Sequence, residues 1–378
     1  MDKRNNRIKM KVNGKHYRTI WPKDEKTIQI IDQRYLPHKF VIENLKSVDD
    51  VITAIKDMHV RGAGLIGVAA AYGMYLAGLE LSEDDDSYRY LEWRGEMLKA
   101  TRPTAVNLSW AVDEQLKCVK KDLYFLEEQK KILFQKANEI ADEDAENCEM
   151  IGKNGFKIIY DITQKKNSKV VNIMTHCNAG WLAFVDYGSA LSPIYNAFHN
   201  YISVNVLVSK TSPRNQGALT AWELEQERVP YKIIEDNSCG YLMGRGLVDM
   251  VIVGADRVTR LGDVVNKIGT YQKALAAKDT GVPFYVAFPS STFDWKTKSW
   301  NDIHIEEREN EEVKYASGLN KHGKIERILL TPENSDVLNY GFDITPARLI
   351  TGLITERGIC KPYEEGILKL FPEQQKNE

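Results

Sequence analysis

Two periods divide the chain, one helical and one built from short apolar runs. Residues 1 to about 45 alternate polar and apolar positions (Ile8, Met10, Val12, then 27–31) around Asn13-Gly14, which predicts a small antiparallel sheet. Ser47 and Asp50 then have capping-box spacing, and Val48, Val51, Ile52, Ile55 and Met58 follow at helical intervals. The helical pattern continues to about Asp161, including a charged amphipathic stretch over 112–151, and breaks at Gln164-Lys165-Lys166-Asn167. Beyond that point the apolar runs 170–174, 204–208, 231–234, 250–253 and 284–287 read as buried parallel strands. The pieces 218–227, 239–246 and 266–278 read as helices between them, and Thr345-Pro346 predicts a last helix over 347–356. The expected architecture is α/β: a Rossmann-like, parallel, doubly wound C-terminal domain over 165–378, preceded by a smaller N-terminal β-sheet and helical domain over 1–164.

Composition narrows the function classes. The 378 residues are 28% charged and 43% hydrophobic, ordinary for a soluble globular protein. A net charge of -2 gives no electrostatic case for nucleic acid or an anionic membrane surface. The longest apolar stretch, 65–79, is broken by glycines and reads as too short to span a bilayer; the basic, polar start carries no signal-peptide pattern. Five cysteines, at 118, 148, 177, 239 and 360, form neither a disulfide framework nor a zinc knuckle, so a reducing cytoplasm is expected. No His, Cys and carboxylate cluster has ligand spacing, so no metal is expected, and no cofactor is expected either.

The chemistry gathers at strand ends. Thr175-His176-Cys177-Asn178-Ala179-Gly180 follows the apolar run that begins at Lys169, and Gly254-Ala255-Asp256-Arg257 follows the run 250–253. A thiol and a carboxylate are therefore offered where open α/β sheets bind ligands. Cys177 is expected to precede a helix whose N-terminal dipole would favour a thiolate, whereas Cys118, Cys148 and Cys360 read as core fillers. His176 should face away from Cys177, since neighbours in extended chain point to opposite sides. Asp256 is flanked by apolar residues, and Asn266-Lys267 is expected at the next helix start. Lys210 to Gly217 and Asp236-Asn237-Ser238 place more polar groups at two further strand ends. Gly62 to Gly67 fits G-x-G-x-x-G with Glu80 downstream, but a helix rather than a strand precedes it, against a nicotinamide fingerprint. Arg61 with the amides behind it suits a phosphate at a helix start, and close helix packing through small residues explains the same glycines. Arg102 precedes a second helix in the same way.

Taken together, Val60-Arg61-Gly62-Ala63, 101–108, 175–180, Asn215-Gln216-Gly217, 253–257, Gly262-Asp263, 266–270 and 342–347 resemble the S-methyl-5-thioribose-1-phosphate isomerase family, from about residue 8 to 362 and in order. That family is related to archaeal ribose-1,5-bisphosphate isomerases and to non-catalytic subunits of a translation-initiation exchange factor. The resemblance implies a homodimeric aldose–ketose isomerase acting on a small sugar phosphate. It implies Cys177 and Asp256 as the catalytic pair, and Arg61, Gly62, Ala63, Arg102, Gln216, Asn266 and Lys267 as the substrate-binding set. The family usually has proline where Gly64 stands and Glu-Thr-Arg-Pro where Lys210-Thr211-Ser212-Pro213 stand. The 5-substituent is accordingly open at this point, with 5-deoxyribose 1-phosphate as the competitor and ribose-1,5-bisphosphate behind it. A non-catalytic sugar-phosphate sensor would tolerate loss of Cys177 or Asp256, and both are present.

Overall fold

The computed structural model describes residues 9–82, 86–119, 125–166, 170–297 and 300–376; Ile8, Asn167 and Lys169 lie outside them. The chain opens with a hairpin, Lys11–Val12 against Lys15–His16, whose turn residues Asn13 and Gly14 both have positive φ, 51° and 82°. That conformation is the one whose twist matches paired strands. A three-stranded antiparallel sheet follows (Ile20–Asp24, Thr27–Ile31, Ile42–Leu45).

Helix α1 (Val48–Lys56) has the expected capping box: Asp50 N donates to Ser47 Oγ at 3.1 Å and Ser47 N to Asp50 Oδ2 at 3.1 Å. Helices α2 (Ala63–Glu80), α3 (Ser87–Ala100), α4 (Val106–Cys118) and the 40-residue α5 (Leu126–Lys165) come next. The apolar stretch read as too short for a membrane is, as α2, an 18-residue helix long and apolar enough to qualify. Its composition has another cause: every residue from Ala63 to Gly78 is buried, with α1, α3, α4 and α5 packed around it. A helix surrounded by protein is apolar on all sides.

After α5 the chain builds a seven-stranded sheet from β1 (Val171–Thr175), β2 (Val204–Ser209), β3 (Tyr231–Ile234), β4 (Met250–Val253), β5 (Phe284–Ala287), β6 (Gly352–Thr355) and β7 (Gly358–Cys360). Their spatial order is β7-β6-β5-β4-β1-β2-β3, parallel except for the edge strand β7. All five predicted runs are present. Alternate residues serve two cores: Ile173 and Ile252 join the one shared with the long helices, whereas Met174, Val251 and Val253 join one formed with α8 (Cys239–Gly244) and α9 (Thr270–Thr280). Helices α6 (Ser192–His199) and α7 (Gly217–Gln226) complete the crossovers.

Two further expectations fail. The segment 347–356 is a short 3-10 turn and then β6, not a helix. All four β6 residues are buried, so no solvent-facing side marks the strand's period of two. Asn266 and Lys267 do not start a helix; they end the strand Val264–Lys267, and α9 begins only at Thr270. That strand lies in a second sheet, ordered Phe293–Asp294, Arg257–Thr259, Val264–Lys267, Phe342–Thr345, beyond the carboxyl end of β4. Further out stands the hairpin Tyr315–Leu319/Ile325–Leu329.

Asp144 ties α5 to the loop after β1 by accepting a hydrogen bond from Val185 N at 2.7 Å. Burial lifts its carboxyl from 3.8 to about 7. Between those values the folded state holds more protons than the unfolded one, so this group's contribution to stability falls as pH rises. Asp144→Asn should therefore gain on the parent by roughly 1 kcal/mol or more between pH 4 and 8. Denaturant midpoints at both ends of that range measure it, and parallel curves would show a carboxyl that titrates normally.

Candidate active site

Strand order brings the site together. β1 and β4 are neighbours, paired through Ile173–Met250 and Met174–Val251, although α6, β2, α7, β3 and α8 lie between them in the chain. Their connections leave in opposite directions, toward β2 and toward β5, and the crevice at such a reversal is where doubly wound sheets bind ligands. Cys177 stands two residues beyond β1 and Asp256 three beyond β4. Cys177, Asp256, Arg61, Gly62, Ala63, Arg102, Gln216, Asn266 and Lys267 all line one pocket, of about 550 Å³ including its mouth. Met58, Asn178, Ala183, Phe184, Arg308 and Phe342 also line it.

No helix starts behind Cys177. The next element is the three-residue 3-10 turn Trp181–Ala183, because Asn178 and the following amides are drawn into a different arrangement. Glu223, buried in α7, accepts hydrogen bonds from Asn178 Nδ2 (2.8 Å), Trp181 N (2.9 Å), Leu182 N (3.0 Å) and Tyr195 Oη (2.9 Å). Four donors on one carboxylate fix the loop that carries the thiol. Asn178 passes this order on: its Oδ1 and backbone oxygen accept from Arg61 Nη1 and Nη2 at 2.6 and 2.8 Å, and Arg61 Nη2 lies 3.8 Å from Cys177 Sγ.

Cys177 itself has φ 63°, in the left-handed region that non-glycine residues enter at a cost of roughly 1–2 kcal/mol. Two threonines hold it there: Cys177 N donates to Thr211 Oγ1 at 2.8 Å, and Thr220 Oγ1 donates to Cys177 O at 2.8 Å. Asp236 in turn accepts from Thr211 N at 2.8 Å and Ser212 N at 2.7 Å. The end of β3 therefore supports the site from beneath and is absent from the pocket lining. His176 faces away from the thiol, toward Ile268 O at 2.8 Å, and burial lowers its imidazole to about 3.

Asp256 opens onto the pocket and is otherwise enclosed; its N–H donates to Val265 O at 2.9 Å. Burial raises its carboxyl, outweighing Lys267, Arg102, Arg61 and Arg308, which pull the other way. Arg257 points elsewhere, to Asp294 Oδ2 at 3.0 Å and Thr104 O at 3.1 Å. Burial lowers the Lys267 ammonium to about 8 and the Arg102 guanidinium to about 10. Gly62, at φ 103°, precedes α2 with no side-chain cap, and a Cβ there would sit 2.5 Å from Ala183. The first-turn amides of α2 thus come close to the loop and remain available to an anion.

Among the described residues, the grouping with metal-ligand geometry is Asp32, Glu43 and His59. A cation already serves it: Arg34 lies 2.7 Å from Asp32 Oδ2 and 3.9 Å from Glu43 Oε2. Three residues of the candidate site escape sequence reading. Arg308 sits in a charged stretch with no motif, Asn178 reads only as a strand end, and Glu223 was legible only as a carboxylate beside Leu219, Trp222 and Leu224 on an otherwise apolar helix.

Thr211→Val should leave the fold intact and lower kcat about tenfold with KM within about threefold, since one neutral hydrogen bond of about 1 kcal/mol holds the thiol's backbone. Steady-state kinetics checks this, and an unchanged kcat would release Cys177 from dependence on that bond.

The sequence profile described as the initiation factor 2 subunit family matches residues 59–362. A methylthioribose-1-phosphate isomerase of Desulfatibacillum aliphaticivorans is 52% identical over 371 residues, which are 97% of this chain and 100% of that protein. Among solved structures, 5-methylthioribose 1-phosphate isomerase from Pyrococcus horikoshii OT3 superposes with a TM-score of 0.79 at 38% identity, covering 95% of this chain and 97% of that one. Translation initiation factor eIF-2B, subunit delta, from A. fulgidus superposes with a TM-score of 0.76 at 36% identity, covering 94% and 99%.

Proposed function

This chain belongs to the initiation factor 2 subunit family, and within it we propose an aldose–ketose isomerase that converts S-methyl-5-thioribose 1-phosphate to S-methyl-5-thioribulose 1-phosphate in methionine salvage. One observation carries the reading: a thiol and a carboxyl held above its ordinary range share a pocket with Arg61, Arg102, Lys267 and Arg308. Four cations around two such groups suit a phosphate ester on which acid–base chemistry is done.

Phosphate on C1 keeps the sugar ring closed, because spontaneous opening needs a free hydroxyl there. In the proposed sequence Asp256 gives its proton to the ring oxygen as the bond from that oxygen to C1 breaks. The oxygen bonded to phosphorus shares the positive charge left on C1. Cys177, with Arg61 Nη2 3.8 Å from its sulfur, is the base that takes the proton from C2, and the electrons of that bond form the C1–C2 double bond. Cys177 returns the proton to C1, and the C2 hydroxyl gives its own to Asp256 as the ketone forms. Both groups end as they began, which is what a catalyst requires.

Met58, Ala183, Phe184 and Phe342 give the pocket an apolar wall suited to a methylthio group. The departures at Lys210 and Ser212 are not part of its lining; Lys210 lines an adjoining cavity of about 1840 Å³ including its mouth and pairs with Glu235 at 3.7 Å. These placements support the 5-methylthio sugar over 5-deoxyribose 1-phosphate. The proposal extends to a cytoplasmic homodimer without a cofactor, for which sedimentation should give the mass of two chains.

The test is a substrate panel: kcat/KM should be highest for the 5-methylthio 1-phosphate, lower for 5-deoxyribose 1-phosphate and lowest for ribose-1,5-bisphosphate. A different order would reassign the substrate. Asp256→Asn should keep ligand affinity by calorimetry and lose turnover by about 10²-fold or more, the usual worth of a general acid. Lost affinity with normal turnover at saturation would make Asp256 an ionised hydroxyl ligand. Cys177→Ser should lose about as much. In heavy water, exchange at the Cys177 sulfhydryl before the proton is returned should place some solvent deuterium on C1, which a direct hydride shift never does.

A further inference from the structure

We propose that Arg308 is a phosphate-binding residue of this site, acting with Arg102, and that Glu306 holds both guanidiniums in place. The assignment rests on the sugar-phosphate reading above and adds a residue that lies outside every motif of the sequence. Arg308 belongs to the segment between β5 and the outer hairpin. Its backbone is fixed: Arg308 N donates to Asn339 O at 2.7 Å, and Gly341 N to Glu306 O at 2.9 Å. Gly341 leaves room for the guanidinium, since a Cβ there would stand 3.0 Å from Arg308 Nε. The side chain is 7% exposed and reaches the pocket over the ring of Phe342, 5.8 Å from its centroid; Lys267 Nζ lies 4.6 Å from the same centroid.

The three arginines of the pocket differ in what they leave unused. Arg61 is engaged, with two hydrogen bonds to Asn178 and a contact with the Cys177 sulfur. Arg308 makes one short contact to a carboxylate, Nη2 to Glu306 Oε2 at 3.2 Å; Nη1 is 3.8 Å from Glu312 Oε1, whose closer partner is Arg214 at 2.6 Å. Arg102 Nε is 3.9 Å from the same Glu306 oxygen, which also accepts from Thr104 Oγ1 at 3.3 Å. The Nε of Arg102 and the Nε of Arg308 are both buried without a hydrogen-bond partner. Two adjacent, mutually repelling guanidiniums thus share one carboxylate, with donors to spare. Buried charge left underpaired is expensive, and a phosphate dianion supplies the missing charge and the acceptors together.

Arg308→Gln and Arg308→Lys test this against the parent, with inorganic phosphate as the probe. In Arg308→Gln, KM for the sugar 1-phosphate should rise about tenfold or more with kcat within a few fold, as expected for a lost charge-assisted contact. The inhibition constant of inorganic phosphate and its thermal protection should weaken in step, and Arg308→Lys should fall between. Unchanged KM and unchanged phosphate protection, with only a lowered Tm, would overturn the proposal and leave Arg308 as a structural partner of Glu306. Should the Gln variant fail to fold, an unchanged KM in the Lys variant, which keeps the charge but not the fork, would overturn it equally. If the parent turns over no sugar phosphate yet phosphate protects it in an Arg308-dependent way, the isomerase reading fails and this one stands.

Discussion

Everything in the site depends on the parallel pairing of β1 with β4. The chain reaches β4 only after building β2 and β3 on the other side of β1, so the two central strands end together while their continuations diverge. No helix can cover the crevice between them. A fully hydrogen-bonded, doubly covered sheet is rigid, and residues just beyond its strand ends inherit that rigidity without being part of it. Cys177 and Asp256 have this status. The first is set by Thr211 and Thr220, the second by its bond to Val265 in the hairpin that follows.

Charge is the second constraint, and it is deliberately unbalanced. Arg61, Arg102, Lys267 and Arg308 face a pocket whose own carboxyl, Asp256, is pushed by burial toward its neutral form. Glu306 offsets part of the excess from the far side. Burial also lowers Lys267 and Arg102, the expected response of cations short of partners. The same field would hold a bound phosphate dianion. Burial nonetheless keeps the Asp256 carboxyl above its ordinary range, the direction that the proposed acid role requires.

The sheet was legible in the sequence because strands buried on both faces show as unbroken apolar runs, and the residues after 171–175 and 250–253 could be read as site residues for that reason alone. Helix α1 was legible through its cap. What failed did so where burial erased the pattern or where tertiary contacts replaced a local rule. β6 is buried on both faces, which hides its period; Asn266 and Lys267 sit on a strand because Val264 and Val265 pair with Arg257 and Val258 on one side and with 344–345 on the other. The loop after Cys177 would have started a helix by local preference, but Glu223, distant in sequence, takes its amides. Arg308 had no local signal, since only folding shows which arginine in a charged stretch turns inward.

Gly64 shows how one departure from a family pattern can be absorbed. It lies in the first turn of α2, where proline is tolerated for lack of an amide partner. Here, however, a Cβ at position 64 would collide with Phe184 and with Asp144 Oδ1. The space a larger residue would occupy is filled by the ring that forms part of the pocket wall and by the carboxylate that anchors Val185. Glycine at this position is therefore coupled to the placement of Phe184. The two would have to change together, because a bulkier helix start would displace a ring that lines the pocket.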